Sequence, residues 1–330
     1  MNDRSTKLKR MADSERKSRT DLIKSILSGA KQMVSLGTFL FGHPDLIGWV
    51  PKERRIYLAI GEADIEFTKA DAIADPGKYA WKRSDLATNA SGLCLLRAVP
   101  GHHLKYVLVD PYQENSRGLL LTSNLTPSGV DVESAADSKV SSHELAIELT
   151  SVETDDLASL AKYTLFGAKG VREFKQGGLQ PVSPIAIEPP AAVSLLMNGF
   201  KQSSLTDALL ECVSAAKSSV HICTYTFDPD SVLFPVIRQL VAAGVEVRVM
   251  LNNSLANRSV SEALGQIGVK VAMVDRMHAK AILVDGSSGV VCTANFCRSG
   301  LADGINIGVR LSPELPERLE LVRRFFTERA

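Results

Sequence analysis

One chemical pattern occurs twice in this chain of 330 residues, each time at the end of an apolar run. The pattern is His-x-Lys-(x)4-Asp, and a Thr-x-Asn triplet follows each copy. The first set is His103, Lys105, Asp110, Thr122 and Asn124, and the second is His278, Lys280, Asp285, Thr293 and Asn295. A repeat that keeps both the residue types and their spacing indicates that the two halves share one fold.

The segments around the pattern also correspond. DLIKSILSGAKQMVSLGTFLF (21–41) and DALLECVSAAKSSVHICTYTF (207–227) both resemble an amphipathic helix that runs into an apolar strand. RRIYLAIG (54–61) matches EVRVMLNN (246–253), each a strand after a helical stretch, and SDLATNASGLCLLRAVPG (84–101) matches SEALGQIGVKVAMVD (261–275). Each repeat is therefore predicted as helix, strand, helix, strand, helix, strand, motif strand, strand. This alternation favours an α/β fold with a largely parallel or mixed sheet.

Composition gives the expected domain limits. The segment TLFGAKGVREFKQGGLQPVSPIAIEPP is rich in Gly, Pro and Ser, which is typical of a linker. We therefore expect a boundary near Gly178, with one repeat over 19–177 and the other over 178–330, and a polar extension over 1–18. Near the end, Leu315, Leu319, Val322, Phe325 and Phe326 have helical spacing.

Composition also limits the class of protein. Hydrophobic residues make up 45% of the chain and the net charge is +1, so the chain lacks the overall basic character of many nucleic-acid binders. The polar start has no signal-peptide core, and no apolar stretch is long enough to span a membrane. The five cysteines are predicted to be reduced, buried thiols, which favours a cytoplasmic protein.

Alternate residues of a strand point to the same side, so each motif presents its His and Lys together. Two imidazoles, two ammonium groups and the neutral donors of the Thr-x-Asn triplets suit a phosphodiester. The cations and donors would hold the phosphoryl oxyanion, one neutral His would attack phosphorus, and the other His would exchange protons. The lysines would supply the positive charge that a metal ion supplies elsewhere. No metal or cofactor is therefore expected.

These motifs resemble those of the phospholipase D superfamily, and the resemblance covers the chain from about Asp21 to its end. It implies two α/β/α sandwich halves related by pseudo-twofold symmetry, with one active site between them. It implies a phosphodiesterase that acts through a covalent phosphohistidine. The resemblance assigns catalysis to His103 and His278, supported by Lys105 and Lys280. It assigns phosphate binding to the two lysines together with Asn124 and Asn295, with Thr122 and Thr293 as further donors.

The chain departs from the family pattern in two ways. Leu121-Thr122 and Cys292-Thr293 stand where the family usually has Gly-Ser. The family also carries an acid further on that orients a catalytic His, and the first half has Glu144 there while the second has Asn306. We therefore expect Glu144 to orient His103 as the nucleophile, with His278 as the general acid. Asp110 and Asp285 lie an odd number of residues past the lysines and are expected to be structural.

The motif specifies the bond type but not the substrate. The absence of a signal, a membrane segment or an interfacial helix favours a nuclease that cuts DNA or RNA, as do basic residues near the start and in the linker. This interpretation places the chain with nuclease-like bacterial members, with protein partners in a larger complex. The first alternative is a soluble phospholipase D or transphosphatidylase acting on phospholipid. The second is a non-catalytic, phosphate-recognising subunit of a nucleic-acid-processing complex.

Overall fold

The structure is a computed structural model that describes residues 19–43, 45–61, 94–130, 142–175, 178–191 and 194–329. The predicted extension over 1–18 and the helix start predicted at Ser84 lie outside the described residues. The first half contains helix α1 (19–28), β1 (Met33–Thr38), β2 (Arg55–Gly61), β3 (Cys94–Val99), β4 (Tyr106–Val109), β5 (Arg117–Leu121), the short helix α2 (Pro127–Val130), β6 (Ala146–Glu148), α3 (Ser151–Lys162), β7 (Arg172–Lys175) and β8 (Gly178–Pro181).

The second half contains more of the helices that were predicted. Its elements are β9 (Leu196–Gly199), β10 (Gln202–Ser203), α4 (Ser204–Ser214), β11 (Ser219–Thr224), α5 (Leu233–Ala242), β12 (Glu246–Asn252), α6 (Leu255–Gln266), β13 (Lys270–Val274), β14 (Ala281–Val284), β15 (Ser288–Cys292), α7 (Arg298–Ala302), β16 (Asn306–Leu311) and α8 (Pro316–Thr327). In α8 the helical stripe is buried as predicted, at Leu319, Val322, Phe325 and Phe326.

Each half forms an eight-stranded mixed sheet, which confirms the α/β fold class. The strand orders are β6-β5-β4-β1-β2-β3-β7-β8 and β10-β9-β16-β15-β14-β11-β12-β13. The six strands β6 to β3 in the first order correspond to β16 to β13 in the second. In both, the first three strands of the repeat are parallel, and the motif strand returns antiparallel to the first. The sequence repeat is therefore a repeat of topology.

The two sheets fill matching positions with different side chains. In the first sheet Gly37 of β1 lies opposite Tyr106 of β4, and a Cβ at Gly37 would lie only 2.1 Å from the tyrosine ring. In the second sheet the same register pairs Cys223 with Ala281. The first sheet thus pairs a large side chain with a glycine, where the second sheet pairs two small side chains. Both combinations keep the interior close-packed.

Two local predictions were wrong. The helix expected between β1 and β2 is a three-residue 3-10 turn (Ile47–Trp49), although a full helix, α5, occupies the matching place in the second half. Glycine and proline between β1 and β2 disfavour a longer helix. In addition, His103, Lys105, His278 and Lys280 lie in the extended segments directly before β4 and β14 and not within the strands themselves.

The chain divides into two compact units whose limits differ from the repeat boundary. The first comprises 1–120, 124–141 and 148–194, and the second comprises Leu121–Ser123, Ser142–Ile147 and Leu195–Ala330. The boundary near Gly178 predicted from composition is earlier than this division, and residues 178–181 pair with β7 as strand β8. No helix in the described part of the chain is long and apolar enough to cross a membrane.

Candidate active site

Glu144 lies against His278, the histidine of the second motif. Its Oε1 is 2.6 Å from Nδ1 of the imidazole, and the carboxylate is 1% exposed whereas the histidine side chain is 21% exposed. Ser142 donates its hydroxyl to the same carboxylate oxygen at 2.9 Å. We expected Glu144 to orient His103, and this pairing corrects that expectation: the acid of the first repeat orients the histidine of the second.

The path of the chain explains why Glu144 of the first repeat contacts the histidine of the second. Residues 142–147 pack with the second compact unit. There the carbonyl oxygen of His143 accepts hydrogen bonds from the backbone N–H groups of His278 at 3.2 Å and Ala279 at 2.8 Å. The backbone N–H of His143 in turn donates to the carbonyl of Arg276 at 3.0 Å. These backbone contacts bring Glu144, the next residue, to the second motif.

Thr122 holds Glu144 in place. Its hydroxyl donates to Oε2 of Glu144 at 2.7 Å and accepts from the backbone N–H of Leu145 at 2.8 Å. A hydroxyl has one proton to donate, and this one is given to the carboxylate. Thr122 thus positions the acid, while its predicted role as a phosphate donor stays a prediction.

Lys280 is fully buried beside His278. Its Nζ lies 3.0 Å from Nδ1 and 3.2 Å from Nε2 of the imidazole, and it donates to the backbone oxygens of His278 at 2.5 Å and Thr122 at 3.3 Å. Burial lowers the pKa of Lys280 to about 8, and the charge of Glu144 opposes that shift. The cluster thus contains one buried carboxylate and one buried ammonium, joined through an imidazole that is partly exposed.

The second repeat has the same hydrogen-bond arrangement, with an amide in place of the carboxylate. The hydroxyl of Thr293 donates to Oδ1 of Asn306 at 3.1 Å and accepts from the N–H of Ile307 at 3.1 Å. Asn306 also donates to the carbonyl of Gly300 at 3.0 Å. Asn306 therefore occupies the place that Glu144 occupies in the first repeat, as the sequence alignment predicted, and the hydroxyl of Thr293 is bound within the protein like that of Thr122.

The first motif resembles the second in the burial of its lysine and in the contact of that lysine with the backbone of the histidine. Lys105 is fully buried, and its Nζ donates to the carbonyl of His103 at 3.1 Å. The neighbouring His102 is 1% exposed, and burial together with the charge of Lys105 lowers its pKa to about 3. His102 is thus a neutral interior residue, while His103, next to it, is only partly buried.

The two asparagines of the triplets are placed by threonines that sequence analysis did not single out. Thr38 accepts a hydrogen bond from the N–H of Leu125 at 2.9 Å, and Thr224 accepts one from Phe296 at 3.2 Å. These contacts fix the residue that follows Asn124 and Asn295 respectively. The buried Oδ1 of Asn295 has no hydrogen-bond partner among the described residues. The recurrence of both threonines in the aligned repeats was the signal that could have identified them.

Asp110 and Asp285 bind the backbone before the first strand of each repeat. Asp110 accepts from the N–H groups of Lys31, Gln32 and Met33 at 2.7–2.9 Å, and Asp285 accepts from those of residues 217–219 at 2.8–2.9 Å. Burial alone would raise the pKa of both carboxyl groups, but these hydrogen bonds outweigh it and hold each pKa below its ordinary value.

An aromatic ring lies edge-on against each motif histidine. Phe39 is 5.4 Å from His103 at 64°, and Tyr225 is 5.2 Å from His278 at 60°. Both residues directly follow the first strand of their repeat, in TFLF and TYTF. Sequence analysis missed this pair, although the same alignment places one aromatic above the other.

The cavity found in the second repeat lies apart from this cluster. It has a volume of about 540 Å³ and is lined by residues of β9, β10, α4 and α7, among them Asn198 and Arg298, and by Asp230 of the loop before α5, and not by the motif residues. Within the described ranges, no group of three or more His, Cys, Asp and Glu side chains lies close enough to hold a metal ion.

Known proteins resemble this chain most clearly in its second repeat. The family model described as the phospholipase D-like domain of cardiolipin synthase matches residues 209–327. The probable cardiolipin synthase YwiE of Bacillus subtilis is 30% identical over 124 residues, or 34% of this chain and 25% of that protein. The cardiolipin synthase of Listeria welshimeri is 30% identical over 101 residues, or 28% of this chain and 21% of that protein. The chain thus spans about a quarter or less of the length of these relatives.

The fold of both repeats also occurs in solved structures. The phosphatidylserine synthase of Haemophilus influenzae Rd KW20 has a TM-score of 0.68 and 12% identity, covering 94% of this chain and 84% of that one. At this identity the likeness shows the fold alone. The duplicated motifs, the family match over the second repeat and this shared fold together support membership of the phospholipase D superfamily. Membership supports phosphodiesterase-type chemistry.

Proposed function

We propose that this chain cleaves or exchanges the head-group phosphodiester of a phospholipid, and that it carries the phosphatidyl group on His103 before passing it to an alcohol or to water. The observation that carries the proposal is the Glu144–His278–Lys280 cluster, in which a partly exposed imidazole contacts a buried carboxylate and a buried ammonium. The family model and the curated relatives, all named for cardiolipin synthase, support a lipid substrate.

The corrected pairing changes the reason for the roles of the two histidines but not the roles themselves. The carboxylate of Glu144, 2.6 Å from the imidazole, favours the imidazolium form, whereas the ammonium of Lys280 at 3.0 Å opposes it. We take the charge-assisted contact with Glu144 as the stronger of the two, which suits His278 to a general acid. In the first step a neutral imidazole nitrogen of His103 attacks phosphorus. The P–N bond forms, the P–O bond to the head group breaks, and His278 gives its proton to the departing oxygen.

The second step reverses the proton movement. Neutral His278 takes the proton from an acceptor O–H, whose oxygen bonds to phosphorus, and the P–N bond to His103 breaks with its electron pair returning to the imidazole. Lys105, Lys280, Asn124 and Asn295 would hold the phosphoryl oxygens. An alcohol acceptor gives a new phosphodiester, whereas water gives phosphatidic acid.

A nuclease, which sequence analysis favoured, has less support. The inference rested on the absence of lipid-binding features and on scattered basic residues. No curated relative described above is named for a nucleic-acid substrate, while both are named for a lipid product.

The test is a cleavage assay in EDTA with phosphatidylglycerol vesicles, single- and double-stranded DNA, and RNA. We expect lipid products, loss of activity in His103→Ala and His278→Ala, and near-normal activity in the control His221→Asn, which lies on β11 and packs against Phe326. An acid-labile phosphoramidate should map to His103 by mass spectrometry. Cleavage of nucleic acid alone would overturn the lipid assignment, and a label on His278 would reverse the histidine roles. Phosphate binding without turnover of any substrate would support a non-catalytic subunit.

A further inference from the structure

Tyr225 is a partly exposed side chain in direct contact with the histidine that we assign to proton transfer. The residue is 39% exposed, and its ring lies 5.2 Å from the imidazole of His278. Its carbonyl oxygen accepts a hydrogen bond from Nδ2 of Asn257 at 2.8 Å, and the same amide also donates to Asn252 at 2.8 Å. Asn257 is 1% exposed. The backbone of Tyr225 is therefore anchored to β12 and α6 while its ring remains open to solvent.

The two repeats use different aromatic residues at this position. Phe39 lies against His103 with nearly the same geometry, and its ring packs on Gly61, where a Cβ would come within 2.6 Å of it. The fold thus places an aromatic ring beside each motif histidine, Phe39 beside His103 and Tyr225 beside His278, and we call each ring an aromatic wall. Only the wall beside His278 carries a hydroxyl, so only this one can both exclude water with its ring and form a hydrogen bond with an incoming group.

We propose that Tyr225 sets the division between an alcohol and water as the acceptor of the phosphoryl group. Glu144 binds Nδ1 of His278, so the other ring nitrogen would take the proton of the acceptor. Nζ of Lys280 lies 3.2 Å from that nitrogen, and the ring of Tyr225 lies 5.2 Å from the same imidazole, so both border the place of the acceptor in this proposal. The ring covers one side of the imidazole and lowers the local occupancy of water, and the phenol oxygen gives an alcohol substrate a hydrogen-bond partner. This inference rests on the proposed transfer reaction and names the residue that determines its acceptor specificity.

The measurement is the ratio of transfer to hydrolysis. With phosphatidylglycerol vesicles, transfer to a second phosphatidylglycerol gives cardiolipin and glycerol, while hydrolysis gives phosphatidic acid and glycerol. With bis(4-nitrophenyl) phosphate and glycerol, transfer gives glyceryl 4-nitrophenyl phosphate and hydrolysis gives 4-nitrophenyl phosphate. The released nitrophenol reports total turnover in the second assay, so the ratio is independent of the amount of active enzyme.

We expect the ratio to fall about threefold in Tyr225→Phe, which loses a neutral hydrogen bond, and about tenfold in Tyr225→Leu, which also loses the ring. Two controls define the site. Tyr112→Leu removes a tyrosine that is 57% exposed and lies beside Ser159 of α3, and Phe39→Leu removes the other aromatic wall. Both controls should keep the wild-type ratio, although Phe39→Leu should slow total turnover.

The outcomes separate this inference from the proposed function. A ratio unchanged in both Tyr225 variants, or lowered equally in either control, would overturn the role of Tyr225. Wild-type protein that forms only hydrolysis products in both assays would do the same. Turnover of the nitrophenyl diester without turnover of lipid would overturn the lipid substrate alone, because the glycerol ratio would still decide the role of Tyr225.

Discussion

Glu144 and Asn306 have the same local setting but differ in charge. A threonine hydroxyl donates to each side chain, and the residue that follows each of them donates its N–H back to that hydroxyl. The fold thus keeps one shape in both repeats while one repeat carries an acid and the other an amide. Because only the acid can stabilise an imidazolium, the two repeats are chemically unequal although their topology is the same.

Replacing Glu144 with Gln tests that inequality. The variant keeps the shape and loses the charge, so we expect turnover of phospholipid to fall about 100-fold. The first step with bis(4-nitrophenyl) phosphate should fall much less, because nitrophenolate leaves without a proton. Glu148→Gln, an exposed residue of β6 that pairs with Arg117, is the matched control. Equal losses with the two substrates would contradict a role in proton transfer.

The buried ammonium of Lys280 predicts the alkaline limit of activity. Its pKa of about 8 lies below the ordinary value for lysine, so the charged form is present at neutral pH and is lost as the pH rises through about 8. We expect kcat/KM at pH 9 to be about a tenth of its plateau. Lys280→Arg keeps its charge and should move the limit to higher pH, even if the plateau is lower. An unchanged limit in that variant would assign it to another group.

At the scale of elements, a carboxylate fixes the start of the first strand in each repeat. Asp110 follows β4 and is fully buried, and it binds three successive N–H groups that lead into β1. Asp285 follows β14 and does the same for β11. Since β1 and β11 each pair with the motif strand, these aspartates set the register on which the position of each His and Lys depends.

Asp110→Ala should therefore lower the free energy of unfolding, although Asp110 is not among the residues proposed to contact the substrate. It leaves three N–H groups without their acceptor, and we expect a loss of about 3 kcal/mol in the free energy of unfolding. The pKa of Asp110 is below its ordinary value, so its contribution is present above that value and disappears as the pH falls through the lower one. Urea titration followed by tryptophan fluorescence should show the loss at pH 7, a smaller loss near pH 3, and little change in Asp155→Ala, an exposed helical control. A loss of the same size at both pH values would contradict the electrostatic explanation.

At the scale of the molecule, the second compact unit depends on residues from the first repeat. Residues 121–123 and 142–147 belong to it and supply Thr122, Glu144 and the His143 carbonyl. The family match over 209–327 contains none of these residues. A fragment that carries only the second repeat therefore retains His278 and Lys280 but loses the groups that orient them.

Dividing the chain after Ser194 provides the corresponding test. We expect the separate fragments 1–194 and 195–330 to be inactive and their co-expression to restore diesterase activity. The same co-expression with Glu144→Gln in the first fragment should show the loss seen in the intact variant. Activity of fragment 195–330 alone would contradict the requirement for Glu144.

The repeat, the fold class and the residues of the motifs could all be predicted from the amino-acid sequence. Periodic apolar segments and paired motif spacing are local properties of the chain, so most strands and the terminal helix could be placed from them. Even the correspondence of Glu144 with Asn306 followed from alignment of the halves. The 3-10 turn between β1 and β2 was missed because the helix was predicted from the repeat alone. Glycine and proline in this segment of the first half disfavour that helix.

The contacts between side chains of distant segments depend on tertiary packing. Glu144 and His278 are separated by more than 130 residues, and backbone hydrogen bonds from His143 bring them together. The assignment of the threonine hydroxyls to Glu144 and Asn306, and the contact of Tyr225 with His278, likewise depend on long-range pairing. Sequence pattern specifies the period and chemistry of each segment, but a contact between distant segments depends on the packing of the whole fold, which no local pattern encodes.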